Sequence, residues 1–256
     1  MDWKATKTIF ICVFLLLNIF LFKSFLDTTK SDHLATIQAE TIEEKLANYQ
    51  ITFPELSESV DYSKKITGKP RAFTVEDFAN VEGGTTFFMF DQTQAEVVLG
   101  KPYQLSSDYA DQLKKFLMDY VPNGEQYQLF TYDQDRMVYT FFQQHDGKML
   151  YRNRAAQLSV YVDSEHRIIS YVQTMITDIE TIGSKQREMS ALKAIENLYD
   201  KGSIPSDSKL TKVELGYFSL FVGASYQVLE PTWHVVVNNT DHYYVTAFEG
   251  RIFVDE

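Results

Sequence analysis

Residues 127–177, YQLFTYDQDRMVYTFFQQHDGKMLYRNRAAQLSVYVDSEHRIISYVQTMIT, decide the fold. Tyr127 to Tyr132, Met137 to Gln143, Leu158 to Val162 and Ile168 to Thr177 are rich in aromatic and β-branched residues, as strands on a half-buried sheet must be. Asp133-Gln134-Asp135, His145-Asp146-Gly147 and Asp163-Ser164-Glu165 separate them with turn chemistry. The expected product is an antiparallel meander. Upstream, Ser106 or Ser107 can cap a helix through Tyr120, with Tyr109, Leu113, Phe116, Leu117 and Tyr120 on one face and Pro122-Asn123-Gly124 as the stop. Before it, Thr85 to Asp91 and Ala95 to Leu99 read as a hairpin. A helix laid on an antiparallel sheet makes the class α+β.

The same arrangement recurs downstream. Lys185 to Lys201 reads as a helix with Met189, Leu192, Ile195, Leu198 and Tyr199 on one side. Leu210 to Val222, Gln227 to Leu229, Thr232 to Val237, Tyr243 to Phe248 and Ile252 to Val254 read as strands, the last two joined at Glu249-Gly250. Two helix-plus-meander units are therefore expected, at 83–182 and 183–256. Residues 27–82 read as a stalk helix followed by an irregular linker. The helix has Ser31 as a possible cap, a possible capping box at Thr41 and Glu44, and an end before Pro54. From Glu55 to Val81 no periodicity persists, so Lys64-Lys65 and Gly68-Lys69-Pro70-Arg71 read as a solvated turn or a short strand pair.

The first 26 residues, MDWKATKTIFICVFLLLNIFLFKSFL, differ from everything that follows. Ile9 to Phe22 is apolar except for Asn18 and covers roughly 21 Å as a helix; Ala5 to Leu26 would cover roughly 33 Å, enough for one crossing with Lys7 and Lys23 reaching the interfaces. A signal peptide is the competing reading, but bulky residues follow the run where a peptidase needs small ones. The sequence thus predicts a cytoplasmic tail at 1–8, oriented by Lys4 and Lys7, a transmembrane anchor at 9–26, and an extracellular bulk. A polar amide in hydrocarbon seeks a partner, so Asn18, with Phe14 and Leu21, is the candidate contact with another membrane helix. The alternative is that Asn18 bonds its own helix backbone.

The chain has 24 basic and 35 acidic side chains among 256 residues, and nearly all the acidic excess lies beyond the apolar run. Nucleic acid and anionic polymers are repelled by such a field, so any partner is recognised locally. The one cysteine, Cys12, lies inside the run and cannot staple the remainder. The five histidines show no metalloprotease spacing and there is no nucleophile elbow, phosphate loop or dinucleotide fingerprint. No catalytic residue, cofactor or metal is assigned. His234 and His242 are the one pair able to face each other across two strands, with a structural role expected.

Met1-Asp2-Trp3-Lys4, the span containing Asn18, and Glu230-Pro231-Thr232-Trp233-His234-Val235-Val236-Val237, followed by Tyr243-Tyr244-Val245 and Ala247-Phe248-Glu249-Gly250, together resemble the YycI family. Those proteins are membrane-anchored regulators that accompany the sensor histidine kinase WalK of the WalK/WalR (YycG/YycF) two-component system. Thr246 stands where asparagine is expected. The tail also resembles the PepSY group of small extracellular domains. The resemblance implies a non-enzymatic protein in a membrane complex with the kinase and a sister regulator, YycH, adjusting cell-wall metabolism, with an outer region similar to two of the sister's domains. Two other classes compete with it: a PepSY-like inhibitor or binding module for a secreted enzyme or wall fragment, and an anchored hydrolase with facing carboxylates.

Overall fold

The computed structural model describes residues 7, 13–23, 41–56, 61–105, 109–222 and 226–254. They fall in two compact units, Met1–Gln50 and Ile51–Glu256. In the first, residues 13–23 form helix α1, and Ile42–Asn48 forms α2. The capping box is present: the Glu44 N–H donates to Thr41 Oγ1, and the Thr41 N–H donates to the Glu44 carboxylate. Because Thr41 is extended, α2 starts there. The Ser31 end of the expected stalk helix lies outside the described residues.

In the second unit the turn signals place the strands. Tyr127–Asp133 (β4), Val138–His145 (β5), Gln157–Val162 (β7) and Arg167–Thr174 (β8) pair antiparallel in the order β4-β5-β7-β8. Gln94–Gln104 (β3) joins beside β8, with Thr85–Met89 (β2) at the edge. Helix α3, Tyr109–Tyr120, buries Leu113, Phe116 and Leu117 on this sheet against a core that includes Leu158, Val160, Ile168 and Tyr171. Tyr171 donates its hydroxyl to the Tyr120 carbonyl, tying the helix end to the sheet.

A second sheet is built on Gln227–Val237 (β11), which pairs along one edge with Leu210–Val222 (β10). Its other edge is shared: Gln227, Val228 and Leu229 pair with Tyr62–Pro70 (β1), and Thr232 to Val237 pair with Asp241–Thr246 (β12), beyond which lies Ile252–Val254 (β13). Ile176–Arg187 (β9) pairs outside β1. Helix α4, Ala191–Asp200, is capped by Ser190 and buries Ala191, Ala194, Ile195 and Leu198. Lys148–Tyr151 (β6) joins the two sheets, forming a hairpin with β5 and pairing in parallel with β10.

Three expectations change. The segment read as an irregular linker contains β1, which has no periodicity of its own because it is paired on both edges. The helix expected from Lys185 begins at Ala191, since Ile182, Gln186 and Arg187 are paired with β1. The boundary expected at 182/183 falls inside β9, and residues 51–256 form a single compact unit joined through β6.

Candidate functional site

Helix α1 reads VFLLLNIFLFK, and its side chains are exposed around the whole circumference; Phe14 is 67% and Leu21 54% accessible. A helix without a polar face has no stable side to present to water. Asn18 donates its side-chain N–H to the Phe14 carbonyl at 2.8 Å, so the amide bonds its own backbone one turn back. Phe14, Asn18 and Leu21 follow i, i+4, i+7 spacing and share a stripe. Among the described residues no helix is long and apolar enough to cross a membrane; the expected span at 9–26 extends past the described segment at both ends. Lys4 lies outside the described residues, and Lys7 is helical and exposed.

The other concentration of chemistry is on the β10–β11–β12 sheet. His234 lies opposite Tyr244, and Val236 opposite His242, so the two histidines are diagonal neighbours on one face. They meet as the register foretells: His234 Nε2 is 2.9 Å from His242 Nδ1, with the rings nearly parallel. Around them stand Tyr244, stacked on His234 at 4.9 Å, Tyr151 at 4.7 Å, and Phe130 within 6 Å of both rings. This enclosure pushes His234 down to about 3, chiefly by burial and then by the neighbouring His242 and Lys212 charges. Among the described residues no group of three or more metal-ligating side chains forms.

Glu230 marks the point where β11 exchanges β1 for β12. Its carboxylate is fully buried, with Lys65 Nζ at 3.1 Å and an Arg251 nitrogen at 3.8 Å, and neither oxygen has an aligned hydrogen bond among the described residues. Lys65 and Arg71, read from the sequence as part of a solvated basic turn, are both structural. Arg71 bonds Asp77 at 2.5 Å and also Asn123, pinning the short 3-10 turn at Val75–Phe78. A cleft of about 390 Å³ lies between α3 and β4, lined by Leu113, Leu117, Leu129 and Phe141, with Glu125 its one carboxylate.

The sequence model of the family described as YycI protein matches residues 30–248. The chain belongs to the YycI family. Among solved structures, this YycI-family chain is similar to an uncharacterized protein from Eubacterium rectale (12% identity, TM-score 0.45, 80% of this chain and 89% of that one). It is also similar to YycH from Bacillus subtilis (15%, 0.44, 73% and 53%) and to the YpeB C-terminal domain from Bacillus megaterium (15%, 0.39, 77% and 89%). No curated protein matches its sequence. The Glu230–Val237 run that carries the YycI resemblance is β11, the strand on which the second sheet is built. Thr246, where asparagine was expected, is fully buried, and its Oγ1 accepts the Arg251 N–H at 3.0 Å, closing the turn into β13.

Proposed function

We propose that this protein is a non-enzymatic, single-pass membrane regulator of a YycG/WalK-like sensor histidine kinase, acting beside a YycH-like sister protein with its bulk outside the cell. Membership of the YycI family over residues 30–248 carries the reading. Helix α1 supplies its physical means. An all-apolar cylinder is at home in hydrocarbon, and Lys4 and Lys7 ahead of it favour a cytoplasmic tail.

Regulation then works by differential binding. The stripe of Phe14, Asn18 and Leu21 contacts one signalling state of the kinase's membrane helices better than the other, and a preference of about 1.4 kcal/mol shifts that equilibrium tenfold. After its bond to the Phe14 carbonyl, the chemistry of the Asn18 amide gives it a second N–H and an oxygen to offer a neighbouring helix, worth roughly 0.6–2 kcal/mol. Asn18→Leu is therefore expected to weaken the complex severalfold and to change kinase autophosphorylation in reconstituted membranes. Unchanged association and unchanged autophosphorylation would refute the contact.

A further inference from the structure

We propose that the His234–His242 pair is a proton-responsive latch that fastens the β11–β12 hairpin to β4 and is loosened by mild acid. The geometry leaves room for one proton between Nε2 and Nδ1 at 2.9 Å. His234 Nδ1 is buried and has no hydrogen-bond partner among the described residues. In the neutral pair His234 therefore keeps its proton on Nε2, donates it to His242 Nδ1, and leaves only a bare lone pair inside.

A second proton has no comfortable place. Added to His234, it makes a buried Nδ1–H without an acceptor. Added to His242 at Nδ1, it faces the His234 Nε2–H and drives that proton across the ring to the same buried Nδ1. Either route ends in an orphaned donor and an enclosed charge, both costly in an apolar setting.

The surroundings offer little relief. From β10 come Lys212, which opposes a positive His234, and Glu214, half-exposed and paired to Lys212 at 3.0 Å. From β6 comes Tyr151, and from β12 Tyr244, besides His242 itself. The element across the sheet junction, β4, contributes only the uncharged ring of Phe130. Phe130 touches both histidines, so the pair is the fastening between the α3-covered sheet and the hairpin.

If the opened hairpin lets His234 titrate at its ordinary value while the closed form resists protonation, the open fraction rises about tenfold between pH 7.5 and 5.5. The test is amide hydrogen exchange of the full-length protein in detergent micelles, corrected for the intrinsic pH dependence of exchange. β12 amides are compared with β7 amides across that range. The latch predicts roughly a tenfold rise in opening at β12, little change at β7, and a flat profile in His234→Phe, which fills the aromatic slot without titrating. His242→Gln, which keeps an acceptor for the His234 N–H, serves if His234→Phe does not fold, and should reduce the rise severalfold. A wild-type rise below about twofold, or the full rise persisting in either folded variant, would overturn the proposal.

Discussion

Removing the Lys65 ammonium should be among the most damaging single changes on the surface of this protein. Glu230 is fully buried and Lys65 is 27% exposed at 3.1 Å, so Lys65→Met leaves a carboxylate enclosed at the seam where β11 changes partner. Breaking such a pair from one side costs about 3–5 kcal/mol. Solvent screening of the half-covered lysine and the presence of Arg251 at 3.8 Å place the loss at the lower end, about 3 kcal/mol. For a unit of this size that is a fall in melting temperature of roughly 6–12 °C. Replacing both partners, Lys65→Met with Glu230→Met, removes the stranded charge and should recover most of the loss. Thermal unfolding followed by circular dichroism in detergent micelles reads all three proteins. A Lys65→Met midpoint within about 2 °C of wild type, or a double variant less stable than the single one, would show that Glu230 is not held by Lys65.

Other consequences follow from particular positions. A Cβ at Gly124 would meet the Leu117 carbonyl oxygen at 1.9 Å, so Gly124→Ala forces backbone apart and should cost about 2–4 kcal/mol in denaturant titration, whereas Gly147→Ala, at φ +72° in open space, should cost about 1. Ser190 accepts the Lys193 N–H as the cap of α4, so Ser190→Ala should lower stability by about 1 kcal/mol and increase exchange in the first turn of that helix. His234 has a folded-state pKa below its ordinary value, so its contribution is complete above about pH 6.5 and is lost as pH falls toward about 3. Unfolding free energy should decline across that window by up to about 1.4 kcal/mol per pH unit and decline less in His234→Phe.

The elements legible in the sequence were those whose local chemistry agrees with their tertiary role. Asp-rich turns delimited β4, β5, β7 and β8, and the Thr41–Glu44 capping box located the start of α2. The diagonal approach of His234 and His242 followed from strand spacing alone. What escaped were elements defined by distant partners. β1 contains two glycine-flanking lysines and ends in proline, and only pairing with β9 on one edge and β11 on the other makes it a strand. Lys185 to Arg187 are good helix formers held extended by β1, so propensity pointed to a helix one to two turns too long. β6, four residues after the His145-Asp146-Gly147 turn, is too short to show a period, yet its parallel pairing with β10 joins the two halves. The Glu230–Lys65 pair joins residues far apart in the chain, and no local pattern announces it.

The central claim is that specificity for the kinase resides in the apolar N-terminal helix. The most direct measurement is a membrane pull-down with the full-length protein, a form lacking the first 26 residues, and a form carrying an unrelated membrane span. The account predicts recovery of a histidine kinase with the native span and its loss in both other forms. Equal recovery with the unrelated span, or capture of the kinase by the free outer region, would contradict it and place the functional surface on the β-sheet unit instead.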